Sequence, residues 1–183
     1  MKTIIFGVAM FATLAAVAPI AQAQNSSGLM YGVSGGLILP VGKLGDEQGS
    51  GFNLQGLVTL KPNSIPLAFR GELGVFTVAG KTPTVRVGGI ATPNVTWVSA
   101  TANAIYNFER SKDDTFVPYV IGGIGLYSAT KQFGTGVGVS AGGGISFKLS
   151  GFDAFAEARF HNISSDFYTS RMIPITFGVS FKP

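Results

Sequence analysis

Apolar and polar side chains alternate along nearly the whole chain after residue 28. The last stretch is the cleanest case: Ile173, Ile175, Phe177, Val179 and Phe181 share one parity, and Pro174, Thr176, Gly178 and Ser180 the other. An extended backbone turns successive side chains to opposite faces, so a period of two predicts a strand with two unlike faces. Val137, Val139, Ala141, Ile145, Phe147 and Leu149 repeat it against Gly136, Gly138, Ser140, Gly142, Gly144, Ser146 and Lys148. Strand-like stretches fall at about 29–39, 52–61, 69–75, 95–108, 116–128, 136–149, 154–161 and 173–181. No segment shows a convincing 3.6-residue period.

A soluble sandwich would alternate as well, so the position of charge decides between architectures. Arg70, Glu72, Lys148, Glu157 and Arg159 lie inside strands, on the parity that also carries most of the Ser, Thr, Asn and Gly. The opposite parity is apolar along nearly every strand. A polar, charged inside with an apolar outside predicts an all-β chain, an eight-stranded antiparallel transmembrane β-barrel with lipid against its apolar face. An even strand count closes the sheet and leaves no edge unpaired in hydrocarbon. The reverse assignment, a soluble periplasmic barrel with its charges turned to water, is the structural alternative.

Connection lengths suggest an orientation. Segments 62–66, 109–115 and 150–152 are short, whereas 41–50, 80–94 and 164–171 are longer. Short turns on one side and longer loops on the other place both termini in the periplasm. The short segment 131–133 departs from that trend. Tyr106, Phe108, Phe116, Phe147 and Phe181 fall near the proposed periplasmic ends, where an aromatic girdle is expected.

The N-terminus adds a compartment. Lys2, an apolar run from Ile4 to Ala18, and Ala21-Gln22-Ala23 follow the order of a secretory signal and its cleavage site. Residues 1–23 are therefore expected to be a cleavable signal peptide, and 24–183 one barrel domain. There is no cysteine, which excludes disulfide staples and a cysteine-linked lipid anchor. Charged residues make up only 12 %, and mean hydropathy is +0.38. The net charge of +4 is scattered and includes Lys2, so a nucleic-acid surface is not expected.

Candidate chemistry is sparse. An eight-stranded barrel is only just wide enough for its side chains to fill it, so the five charges on the inner face must lie close and need partners. Two readings follow: a salt-bridged plug in which Glu72 and Glu157 accept from the arginines, or a narrow ion path lined by the same residues. The inner glycines of the sixth stretch leave room for Tyr119, Tyr127, Phe155 and Arg159. They lack the strand-then-helix setting of a phosphate loop. His161 is the single histidine. With Ser164, Ser165 and Asp166 it gives the best case for an enzyme, yet its parity turns it toward the lumen. The acidic pairs Asp46-Glu47 and Asp113-Asp114 lack the ligand spacing of a calcium loop. Asn94-Val95-Thr96 and Asn162-Ile163-Ser164 read as chance glycosylation matches. No cofactor and no metal is expected.

With these stretches in view, the chain resembles the OmpA/OmpX-type family of small outer-membrane barrels. The resemblance is carried by residues 35–42 (GGLILPVG), 118–127 (PYVIGGIGLY), 155–160 (FAEARF) and 174–181 (PITFGVSF). It implies a place in the outer membrane, a lipid-embedded monomer and a non-enzymatic task in adhesion, envelope integrity or surface recognition. It also implies that the assembly machinery reads the final strand through Phe181. Here Lys182 and Pro183 follow that aromatic, and Thr176 stands where a glycine is usual. A small pore, and less so a lipid A-modifying enzyme, are the functional alternatives.

Overall fold

The structure, a computed structural model, describes residues 28–62, 65–81, 93–108, 114–129, 134–165 and 169–182. The expected signal segment lies outside them. Eight strands make up the fold: β1 (Leu29–Val41), β2 (Gln48–Leu60), β3 (Leu67–Gly80), β4 (Val95–Asn107), β5 (Phe116–Ala129), β6 (Thr135–Lys148), β7 (Phe152–Ser164) and β8 (Thr169–Phe181). Each pairs antiparallel with its neighbours in sequence, and β8 pairs with β1, closing the sheet into an eight-stranded barrel. Closure satisfies the backbone groups that an open edge would leave bare. Both described chain ends lie at one end of the barrel, called here the terminal end. The opposite end carries the segments after β1, β3, β5 and β7.

The strands are 13 or 14 residues long, and all but β4 and β6 exceed what their alternation predicts. The difference changes the expected loops. The segment 41–50, read as an open loop, contains a short helix α1 (Lys43–Glu47), and β2 already starts at Gln48. Gly42 makes the turn into that helix with a φ of 60°, a conformation that costs glycine nothing. The segment 164–171 shrinks to 165–168, because Ser164 and Thr169 already pair.

The two faces are inverted relative to a soluble sheet. The outer surface carries Leu37, Leu54, Ile124 and Phe177 at 63–65 % exposure, and most other outward positions are apolar too. Outward aromatics gather at the terminal end, where Tyr106 lies 5.1 Å from Phe108 and Phe116 5.6 Å from Phe147, ring centre to ring centre. Phe152 and Phe181 meet there at 6.0 Å. At the loop end polar outward residues stand among apolar ones such as Phe52 and Val137. Thr77 and Thr96 share a hydrogen bond of 3.1 Å, and Arg171 Nε donates to Asn162 Oδ1 at 3.1 Å.

The interior is layered. Near the terminal end Ala68, Ile105, Tyr119 and Ile121 form an apolar layer. Near the loop end a larger one gathers Ile38, Phe76, Val78, Val95, Trp97, Tyr127, Ile163 and Met172, with Leu44 of α1 packed against it. Arg70, Glu72, Glu157 and Arg159 occupy the height between them.

Candidate functional site

Arg70 and Glu72 stand on β3, Glu157 and Arg159 on β7. These strands are four apart in a closed ring of eight, so they face each other across the bore. Both run from the terminal end toward the loop end. Arg70 therefore lies below Glu72 on one wall, and Glu157 below Arg159 on the other. The charge orders on the two strands are opposite, and each arginine meets a carboxylate across the lumen.

Arg70 Nη1 lies 3.0 Å from Glu157 Oε2, and Arg159 Nη2 lies 2.9 Å from Glu72 Oε2. Along the walls Arg70 approaches Glu72 at 3.6 Å, and Arg159 Nε approaches Glu157 Oε1 at 2.6 Å. In that last contact the N–H is not aimed at the oxygen, which makes it an ion pair that leaves Oε1 without a hydrogen bond. The ring of four is neutral as a whole. Its members are 7 %, 3 %, 4 % and 3 % exposed in chain order, so pairing is obligatory: a lone buried charge would cost several kcal/mol.

Neighbouring strands complete the shell. Thr101, directly opposite Glu72 on β4, donates to its Oε2 at 3.0 Å. Tyr119 Oη donates to Glu157 Oε2 at 2.8 Å, and Arg159 Nη1 to Asn103 Oδ1 at 3.2 Å. Arg70 also stacks over the Phe155 ring at 4.7 Å. Room for Tyr119 comes from Gly144, where a Cβ would sit 2.5 Å from the tyrosine Cζ and Oη. At Gly142 a Cβ would press on Arg159 Cα at 2.7 Å.

Lys148, expected in this group, stands elsewhere. Glu157 is level with Gly144 on β6, and Lys148 lies four residues further down that strand, roughly 13 Å at the usual strand rise. It borders a cavity of about 60 Å³ at the terminal mouth, shared with Lys61, Asp153 and the lower side of Arg70. That volume holds a few water molecules, not a solute. Parity assigned Lys148 to the inner face but carries no information about height.

The suspected catalytic group is not assembled. His161 is 1 % exposed inside the barrel, and its Nδ1 shares a 2.8 Å hydrogen bond with Tyr127 Oη. Ser164 is exposed at the loop end, on the opposite parity, and Asp166 lies outside the described residues. Among the described residues no cluster of three or more metal-ligating side chains occurs. Of the acidic pairs, Asp46 and Glu47 fall in α1 as exposed residues, and Asp113 lies outside the described residues.

The residues missed by sequence reasoning are the apolar ones that cap the lumen. Phe76, Val78 and Trp97 share parity with Glu72 and Thr101, yet are buried inside. Continued alternation through 69–80 and 95–105 was the available signal, and their hydrophobicity masked it.

No protein-family model matches the chain, and no curated protein matches it. Its shape does have solved counterparts. Neisserial surface protein A (NspA) superposes with a TM-score of 0.66 at 20 % identity, over 87 % of this chain and all of that one. The Yersinia pestis outer membrane protein Ail in a phospholipid bilayer nanodisc superposes at 0.51 and 15 % identity, over 85 % of this chain and all of that one. At these identities the likeness concerns the fold.

Proposed function

We propose that this chain is an outer-membrane barrel protein whose wall sits in lipid, whose lumen is plugged by its own side chains, and whose task is carried by the loop end. One observation carries the reading: the exterior is apolar while two arginines and two glutamates are buried inside. Water outside would leave that exterior as one continuous exposed apolar surface, far beyond what a soluble protein tolerates. Lipid outside removes the conflict, and 13 residues suffice to cross the hydrocarbon at a tilt. The outward polar groups Thr77, Thr96, Asn162 and Arg171 near the loop end and the aromatic row at the terminal end fit two different interfaces, with the termini in the periplasm.

In this reading residues 1–23 direct export and are removed. Phe181 presents the final strand to the assembly machinery, and the barrel works as a monomer surrounded by outer-membrane lipids. The neutral ring of Arg70, Glu72, Glu157 and Arg159 is the plug. The apolar layer of Ile38, Phe76, Trp97, Tyr127 and Met172 closes the lumen above it, so the lumen is scaffolding and not a path. The segments between β1 and β2, β3 and β4, and β7 and β8 are where recognition of a surface or partner takes place. The fold shared with NspA and Ail, named as a surface protein and an outer membrane protein, supports the location.

The test is fractionation followed by a gel in mild detergent. The expected result is a band in the outer-membrane fraction that migrates faster unboiled than boiled. A protein recovered from the periplasm without detergent, with no such shift, would refute the reading. Conductance steps from the purified protein in a planar bilayer would refute the plug alone.

A further inference from the structure

The outward face of β7 and β8 changes character at one level. From the terminal end upward, β8 turns Val179, Phe177, Ile175 and Ile173 outward, and β7 turns Ala154, Ala156, Ala158 and Phe160. The next outward pair is Arg171 with Asn162, directly opposite each other, and above it Ser164 faces Thr169. Arg171, Ser164 and Thr169 are exposed. Arg171 stands ten residues along β8 from Phe181, a member of the aromatic row at the terminal end. At a rise of about 3.3 Å per residue and a tilt of about 40°, that distance spans roughly 25 Å of height, the apolar band of an outer-membrane barrel. The guanidinium therefore sits at the second membrane interface, the level of lipid phosphates.

We propose that Arg171, oriented by Asn162, binds a phosphate of lipid A in the leaflet at the loop end. The inference rests on the lipid-embedded reading given above, with the loop end outside the cell. Arg171 Nε donates to Asn162 Oδ1 at 3.1 Å, which ties the guanidinium to the neighbouring strand and leaves its Nη1 and Nη2 edge for another acceptor. The parallel N–H groups of that edge match two oxygens of a phosphate. The hydroxyls of Ser164 and Thr169, one pair higher, add further donors on the same face. Among the described residues no carboxylate forms an ion pair with Arg171, so none of them supplies its counter-charge. Two features select a lipid over a soluble anion. The charge stands at the edge of the hydrocarbon, where the long arginine stem lies along the apolar wall and carries its head to the lipid headgroups. Directly below it, Phe160, Ile173 and Ile175 offer an apolar surface to the acyl chains of the same molecule, which a free phosphate could not use. In an outer membrane with this orientation, the lipid of that leaflet is lipid A, and its phosphates lie at this level.

The experiment is native mass spectrometry of the full mature protein, folded in mild detergent and titrated with lipid A, with dephosphorylated lipid A and with phosphatidylglycerol. The wild type is expected to retain lipid A in preference to the other two. Arg171→Gln is expected to weaken that retention about tenfold or more, the loss of a charge-assisted hydrogen-bonded contact, and Asn162→Ala to weaken it less. Lys81→Gln, which removes another exposed cation at the loop end, is expected to leave it unchanged. The unboiled band on a gel reports whether each variant is folded, and Arg171→Lys, which keeps the charge without the fork, replaces Arg171→Gln if the latter is not. Equal retention of phosphorylated and dephosphorylated lipid A, or equal loss from Arg171→Gln and Lys81→Gln, overturns the proposal and leaves the barrel reading intact. Phosphatidylglycerol held as tightly as lipid A would overturn the choice of lipid. Retention that rises with Asp166→Asn would assign Arg171 to that carboxylate and also overturn it. A wild type that stays soluble without detergent would sink the membrane reading first.

Discussion

Replacing Arg159 by methionine keeps most of the side-chain volume and removes one positive charge from the lumen. Arg159 contacts Glu72 at 2.9 and 3.0 Å, Glu157 at 2.6 Å and Asn103 at 3.2 Å. After the change two buried carboxylates share Arg70 alone, and one negative charge is uncompensated. Breaking a buried pair in this way costs about 3–5 kcal/mol, or roughly 150- to 5,000-fold in the unfolding equilibrium. Adding Glu72→Gln removes the orphaned charge and leaves the Arg70–Glu157 pair intact. The double variant is therefore expected to recover about 2 kcal/mol or more relative to Arg159→Met. Urea unfolding in phospholipid vesicles, followed by fluorescence, is the assay. Trp97 is the single tryptophan and is buried at 1 % exposure in the apolar layer above the ring, so its emission reports on the lumen. If the double variant were no more stable than Arg159→Met, the charges would not be coupled and the ring would not hold the lumen together.

Gly144→Val places methyl groups where Tyr119 lies, and its Cβ also comes 2.6 Å from the Ala156 carbonyl oxygen. It is expected to destabilise by about 1–3 kcal/mol or prevent closure, whereas Gly71→Ala, with nothing within 4 Å, leaves the unboiled band unchanged. Tyr127→Phe strips His161 Nδ1 of its partner at 2.8 Å and should lower stability by about 1–3 kcal/mol in the same vesicle assay. Unchanged stability would show that this hydrogen bond contributes nothing. Phe181→Ala is expected to slow appearance of the folded band in cells while leaving refolding into detergent intact. Equal slowing in both would make Phe181 a packing residue and not an assembly signal.

Much of the architecture was legible because period two is a physical consequence of the extended backbone. Strand number, closure order and the inward face of Arg70, Glu72, Glu157 and Arg159 could all be read from parity. Two features were not, for different reasons. Lys148 has the right parity but the wrong height, and height depends on how far each strand slides past its neighbours, which no single strand encodes. The apolar layer of Phe76, Val78 and Trp97 obeys parity too, but an apolar residue on the inner face looks like a lapse in the pattern until the barrel is seen to be capped. The helix over Lys43–Glu47 is a local turn of five residues, too short for any periodicity to announce it.

The reversed charge order on β3 and β7 has a consequence for how the barrel finds its final form. Slipping one strand by a single residue exchanges inside and outside, an error the apolar face rejects at once. Slipping by two residues preserves every face and would pass that check. In this barrel a two-residue slip between the halves would set Arg70 against Arg159, or Glu72 against Glu157. The ring thus acts as a proofreader of closure: it recognises the one alignment among several that hydrophobicity alone treats as equal.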